Sequence, residues 1–514
     1  MHIKRDILRV HFKLSHRFAS CGRWRHRPRQ AAPVGVPTNR RQFEMHPILP
    51  TITFIVISFF ACKTTQKPIA PDNNNAIGIT DSVQVTDSTT YSLSDTPKTE
   101  LKDSIAVIAE APVPQKDSSR TDAFLENLLQ QYPQYFDAIL KKRTAFKVQI
   151  IYTQINRDAD NNPHFTDYYF HVNSKDYFYP ASTVKMPVAL LALQRLNELN
   201  IAGLNHRTPM ITESGYSGQT AVYNDPTTPD GSPSVEQYIK KIFLVSDNNA
   251  FNRLYEFLGQ QYINDQLHSK GYKDVQINHR LDIALPDDEN RHTNPVQFRD
   301  ALGKVNYDQP MQYNTAPYLE RNDRLGKGYY KNEVLINEPM NFSIKNRISL
   351  ENLHHTLRSI LFPQSVSPAE RFNITREDYR FIWQYMSQLP QETIYPAYDS
   401  SYYNASCKFL LLGADKNATL PRGVRIFNKI GGAYGFLTDV AYIVDFEKKV
   451  EFMLSAVIYS NKDGIINDGV YDYTTVGFPF MKYLGEVMYQ YELRRERKYK
   501  PDLSAFKMSY DVIK

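Results

Sequence analysis

Cysteine is nearly missing from this chain: Cys21, Cys62 and Cys407 are the only three in 514 residues. That rules out a fold stapled by a disulfide framework. Metal-binding patterns are missing as well. His354 and His355 are adjacent and so do not share a helix face, and no His-x-His or His-Glu-x-x-His element occurs. A zinc hydrolase is disfavoured, and no cofactor is expected. The strongly apolar run from Ile48 to Ala61 has fourteen residues, too few for a comfortable membrane-spanning helix. Internal repeats are also absent.

The formal net charge of +6 misleads, because residues 1–44 hold eleven Lys or Arg against Asp6 and Glu44, leaving the remainder slightly acidic. The body of the chain therefore presents no nucleic-acid surface. A fourteen-residue apolar run suits a signal-peptide core, and Phe59-Phe60-Ala61-Cys62 resembles the processing site of a bacterial lipoprotein, with Cys62 lipidated. Met45 then serves as the start, making 1–44 a basic extension from a mis-assigned start and 45–61 the signal peptide. Residues 62–119, rich in Thr, Ser, Asp, Pro and Lys, read as a disordered tether. The expected location is the bacterial cell envelope, lipid-anchored and facing the periplasm or the cell surface. If Cys62 is lipidated, Cys407 has no partner.

With 42% hydrophobic residues the rest can bury a sizeable core. Phe124, Leu125, Leu128, Leu129 and Tyr132 predict a helix, and 146–152 a first strand. A late strand is expected over 451–460 and a closing helix from Phe478 to about Arg497. Helices, strands, helices and strands in that order fit an α+β fold over 120–514, an antiparallel sheet built from both chain ends with a helical lobe (about 182–420) inserted.

Within that body, Ser182 and Lys185 put a hydroxyl and an amine three residues apart, ahead of the apolar helical stretch Val184, Val188, Leu191 and Leu196. A hydroxyl there feels the positive end of the helix dipole. Ser-x-x-Lys arises about twice by chance in a chain of this length, and Ser504 and Lys507 form a second copy with no apolar helix behind it. Ser246-Asp247-Asn248 lies between two amphipathic helices, one from about Ser234 to Val245 and one carrying Phe251, Leu254, Tyr255 and Leu258. Such a triplet can point polar groups into a cleft or simply cap a helix. Lys429-Ile430-Gly431-Gly432 follows an apolar strand pattern, and glycines there permit close approach of a ligand.

In this order the three elements resemble the Ser-x-x-Lys, Ser-Asp-Asn and Lys-Thr-Gly set of class A β-lactamases and penicillin-binding proteins. The chain is identified as a member of the class A β-lactamase-like serine hydrolases over roughly 121–498. Arg280-Leu281-Asp282 and 288–295 look like the edges of that family's Ω-loop region, and 435–441 like the strand after its Lys-Thr-Gly. The resemblance implies that Ser182 is the nucleophile and Lys185 its general base. Ser246 relays a proton, Lys429 supports Ser246 and attracts a carboxylate, and Asn248 and Gly431 bind substrate. The backbone N–H groups of Ser182 and Gly432 form the oxyanion hole.

Three departures stand out. Ile430 replaces the hydroxyl residue that helps to bind a substrate carboxylate. Between Asp282 and Asp288 there is too little chain for the family's Ω loop, and its Glu-x-x-Leu-Asn element is missing; Glu289, or Glu333 with Asn337, are the substitutes nearby in sequence. Without a deacylating base an acyl-enzyme persists. Finally, Ser246 and Lys429 are much further apart than in a compact enzyme, the excess lying in an insertion at about 296–421 that holds two helical patterns, at Leu350–Leu361 and Tyr379–Met386.

The expected activity is amide hydrolysis through an acyl-enzyme, on β-lactams first. The alternatives are D-alanyl-D-alanine carboxypeptidase or transpeptidase chemistry on cell-wall peptides, and a non-hydrolytic penicillin-binding or envelope-interaction lipoprotein. Expected partners are a small β-lactam or peptidoglycan-peptide substrate and a membrane through the lipid anchor, with the chain a monomer.

Overall fold

The computed structural model describes residues 118–510. The basic extension, the apolar run 48–61, Cys62 and the polar stretch to 117 lie outside the described residues. Among the described residues no helix is long and apolar enough to cross a membrane.

Two short helices, α1 (Ala123–Gln130) and α2 (Pro133–Lys141), precede strands β1 (Gln149–Arg157) and β2 (Pro163–Phe170). A 3-10 turn, Ala181–Val184, leads into α3 (Lys185–Leu199). After β3 (Met210–Thr212) come α4 (Val235–Val245), α5 (Asn248–Leu258), α6 (Gln260–Ser269) and α7 (Asp287–Arg291). The insertion begins with strands, β4 (Val296–Arg299), β5 (Val305–Gln309), β6 (Arg324–Leu325), β7 (Gly328–Lys331), β8 (Val334–Ile336) and β9 (Met340–Asn341). It ends with α8 (Leu350–Leu361) and α9 (Arg376–Ser387). Strands β10 (Val424–Ala433), β11 (Phe436–Asp445), β12 (Val450–Tyr459) and β13 (Ile465–Ile466) lead to α10 (Phe478–Arg494).

The main sheet runs β10-β11-β12-β1-β2 with every pair antiparallel, so it is assembled from both chain ends as the pattern of elements implied. Side chains alternate between its two faces. Along β11, Val440, Tyr442 and Val444 join the core shared with α3, α4, α5 and α8, whereas Ala441 and Ile443 join a second core beneath α1, α2 and α10. Burial on both faces explains why this strand reads as a nearly continuous apolar run.

The insertion differs from the helical enlargement suggested by its leucine spacing. Its first half makes small sheets, β3-β4-β5, β6-β9 and β13-β7-β8, and only its second half is helical. These strands are two to five residues long, too short for a period-two pattern to stand out.

Candidate active site

The local fold at Ser182 is set by a strained turn. Ala181 has φ +47, the left-handed region that costs a residue with a Cβ roughly 1–2 kcal/mol. Strain of this kind persists only where surrounding structure over-determines it. Here the Thr183 N–H and hydroxyl both donate to the Pro180 carbonyl, at 3.1 and 2.7 Å. Helix α3 follows at once. It is buried nearly all round, from Lys185 to Leu196, so the turn is mounted on a rigid post. In the second Ser-x-x-Lys, a 3-10 turn, Ser504 and Lys507 are both exposed.

Ser246 also takes a left-handed backbone, φ +59, where α4 ends, and the Asp247 carboxylate caps α5 by accepting from Ala250 N at 2.7 Å. Asn248 is the first residue of α5, so the triplet is a helix-to-helix corner. One turn of chain does both jobs: Asp247 caps the helix while Ser246 and Asn248 face inward.

Lys185 and Lys429 meet at this corner. Lys185 Nζ donates to the Ser246 carbonyl at 2.5 Å and to Asn248 Oδ1 at 2.6 Å, with the Ser246 hydroxyl 3.4 Å away. Lys429 Nζ donates to the Ser246 hydroxyl at 2.7 Å and to its neighbour's carbonyl, Ile430 O, at 2.9 Å. Burial, aided by the charge of Lys429, holds Lys185 well below an ordinary lysine. Burial also lowers Lys429 to about 8. A neutral Lys185 has two N–H bonds, enough for its two close acceptors, and keeps its lone pair free to accept a proton.

Strand β10 is the edge of the sheet and runs past the Ser182 turn. A Cβ on Gly431 would lie 2.6 Å from Pro180 O and 3.1 Å from Ser182 N, so only glycine lets the strand come this close. Residues 429, 431 and 433 pair with 440, 438 and 436 and close a two-residue hairpin through Tyr434 and Gly435, both at positive φ. By the antiparallel alternation, the backbone groups of Ile430 and Gly432 face away from β11. Lys429 occupies the Ile430 carbonyl. The Gly432 N–H remains at the open edge next to Ser182, and Gly432 is exposed. Ser182 N–H has no backbone acceptor among the described residues, and the Ser182 hydroxyl, half-buried, makes no hydrogen bond among them.

One carboxylate that the motifs gave no role sits on the neighbouring loop. Asp282, exposed and at φ +60, belongs to the Arg280-Leu281-Asp282 turn, and its charge acts on Lys185. The turn is pinned to α5, because Asn252 donates to Leu281 O at 2.9 Å and accepts from Leu281 N at 2.8 Å. Arg280 closes a compact loop from 280 to 294, donating to Glu256 at 2.7 Å, to His292 O at 3.0 Å and to Asn294 Oδ1 at 3.1 Å. Glu289 is engaged elsewhere, accepting from Ser217 Oγ at 2.7 Å, and Glu333 lies in the exposed β7–β8 turn. The signal for Asp282 was the Arg-x-Asp spacing itself.

A model of the Beta-lactamase enzyme family matches residues 133–471. The chain belongs to that family. No curated protein matches it. Solved structures similar to it include a β-lactamase from Sphaerobacter thermophilus, at 12% identity over 68% of this chain and 94% of that one, with a TM-score of 0.35. A β-lactamase from Burkholderia ambifaria is 15% identical over 68% and 98% of the two chains, TM-score 0.37. A class A β-lactamase from Clostridium kluyveri is 13% identical over 69% and 98%, TM-score 0.39. This is a serine hydrolase of the β-lactamase family by fold.

Behind β10 sits a buried support for the candidate site. Lys408 donates to Met386 O at 2.8 Å, Ile426 O at 3.0 Å and Asn428 Oδ1 at 2.5 Å, and Asn428 donates on to Asp439 at 2.7 Å. Burial lowers Lys408 to about 8, partly offset by Asp439. Among the described residues no group of three or more His, Cys, Asp or Glu is placed to hold a metal ion.

Proposed function

We propose that this protein forms an acyl-enzyme on Ser182 with β-lactams and hydrolyses it slowly. The observation that carries the reading is the cluster in which Lys185, Ser246, Asn248 and Lys429 share hydrogen bonds beside the Ser182 turn. Neutral Lys185 takes the Ser182 proton as Oγ attacks the amide carbonyl. The Ser182 and Gly432 N–H groups stabilise the oxyanion, each such donor being worth roughly 3 kcal/mol. The Ser246 hydroxyl hands a proton to the departing nitrogen and is recharged through the lysines. Asn248 and Gly431 border the substrate. Asp282, a methylene shorter than glutamate and open to solvent, is the base that draws a proton from the deacylating water, which makes that step slow.

Fluorescent penicillin labelling followed by timed washout tests this. Labelling that requires Ser182 and decays over minutes is expected. Absence of label, or label that survives Ser182→Ala, overturns the reading; release of D-alanine from a cell-wall pentapeptide without penicillin labelling would make the substrate a peptide.

We also propose a lipid-anchored envelope location through Cys62, with residues 62–119 as a tether and the chain acting as a monomer. Labelling with radioactive palmitate, lost in Cys62→Ser, is the expected result.

A further inference from the structure

An ammonium stands without an anionic partner at one end of the candidate site. Lys345, supplied by the insertion and half-buried, makes no side-chain hydrogen bond or ion pair among the described residues, and its Nζ lies 5.8 Å from the centre of the Tyr434 ring. Burial lowers its pKa and no carboxylate opposes that shift. The neighbouring imidazole offers no charge, since burial and Lys345 hold His279 down to about 4.

The backbone that carries Lys345 is fixed. Its N–H donates to Phe342 O at 2.9 Å and its carbonyl accepts from Arg321 at 2.7 Å. The next residue, Asn346, accepts from Asn278 N at 2.8 Å and donates its N–H to His279 at 3.2 Å, which bolts the insertion to the chain leading into Asp282. Three aromatic rings pack together beside Lys345, with Tyr179 and Phe342 buried and only Tyr434 half-exposed. Tyr434 meets Tyr179 edge-on at 4.9 Å and Phe342 edge-on at 5.2 Å, and Tyr179 meets Phe342 at 5.9 Å.

Position along β10 decides which part of a substrate lies at this end of the site. Tyr179 comes three residues before Ser182 and Tyr434 two after Gly432, whereas Lys429 comes three before Gly432. With the leaving nitrogen at Ser246, on the Lys429 side, the acyl part extends the other way, toward Tyr434. At the Lys429 end the ammonium is already spent on Ser246 and Ile430, and Ile430 brings no hydroxyl.

We infer that Lys345, beside the Tyr434 ring that buried Tyr179 and Phe342 hold in place, forms a subsite for a carboxylate borne on the acyl part of the substrate. This rests on the acyl-enzyme reading above. A carboxylate there gains a charge-assisted hydrogen bond in a half-desolvated site, whereas an uncharged acyl group gains only contact with the Tyr434 ring. The preferred substrates are acyl donors with an anionic acyl portion, such as a peptide with a free carboxylate near its reacting carbonyl.

Two penicillins that differ by one acyl-side carboxylate test the inference, carbenicillin and benzylpenicillin, with the second-order rate of Ser182 acylation read by mass spectrometry on the full chain. Carbenicillin is expected to react about tenfold faster, a difference of about 1.4 kcal/mol. The ratio should fall toward one in Lys345→Gln, survive in Lys345→Arg, and shrink with added salt. A ratio near one in the wild type, or one unmoved by Lys345→Gln, overturns it. If neither penicillin acylates Ser182, the acyl-enzyme reading fails by itself. The subsite is then decided by NMR titration with phenylmalonate and phenylacetate: tighter phenylmalonate binding lost in Lys345→Gln upholds it, and equal binding sinks it.

Discussion

The Ser246 hydroxyl accepts a hydrogen bond from Lys429 Nζ at 2.7 Å, joining a helix corner to an edge strand 183 positions away in sequence. One hydroxyl thus reads the charge of an amine that burial has brought close to neutrality.

The pH dependence follows. Lys185 acts as a base only when unprotonated, and its pKa lies well below the lysine norm, so acylation rises with pH on the acid side through that lowered value. Lys429 loses its proton above about 8, removing the charge that supports Ser246, so the rate falls there. A bell-shaped profile with its alkaline midpoint near 8 is expected. Lys429→Arg, which keeps its charge, should move the alkaline limb upward. Acylation rates between pH 5 and 10 check both; a flat profile above 7 contradicts the assignment.

Ser182→Ala should abolish acylation by about 10⁴-fold or more while leaving the fold intact. Intact-mass spectrometry after exposure to penicillin reads the adduct directly, and thermal melting verifies the fold.

Gly431→Ala should push β10 off the Ser182 turn, because the added carbon meets the Pro180 carbonyl at 2.6 Å. We expect a loss of about 1–3 kcal/mol in stability from overpacking. Acylation should drop by about two orders of magnitude, since one oxyanion donor moves out of place. Urea titration and acylation kinetics on the same variant separate the two effects.

Asp282→Asn should lengthen the lifetime of the acyl-enzyme at least about tenfold and change the acylation rate far less. Label retention after washout measures this. Equal lifetimes would hand the water-activating role to another group.

Lys408→Met leaves two carbonyls and the Asn428 amide oxygen without their buried donor. A loss of about 3 kcal/mol is expected by denaturant titration. The wild type should also gain stability between about pH 8 and 10.5, where the unfolded chain still holds the proton that folded Lys408 has released. That slope should be smaller in the variant.

The sequence carried the helices α3, α4, α5, α8 and α9 because each has apolar residues at helical spacing, and it carried the strands at β1 and β12 through their apolar runs. Ser182, Lys185, Ser246, Asn248 and Lys429 were legible as short motifs, although only folding brings four of them into hydrogen-bond contact. Asp282 was legible only as the edge of a loop, because its placement depends on the Asn252 contacts that pin Leu281 to α5. Lys345 and Lys408 had no local signal at all. Each is a single lysine in an irregular segment, and its setting exists only once distant pieces of chain have packed around it. The small strands β6 to β9 were illegible because each is two to four residues long, too short for an alternating pattern to stand out.

A sheet whose first two strands come from one chain end and whose remaining three come from the other has a consequence for biosynthesis. β1 must wait for β12, its partner through six paired positions, until the long stretch of chain between them has emerged. Meanwhile the apolar side chains of β1, from Ile150 to Ile155, have no lasting cover, and closure over so long a stretch is slow. Premature termination anywhere before β12 would therefore yield a sticky fragment and not a weakened enzyme.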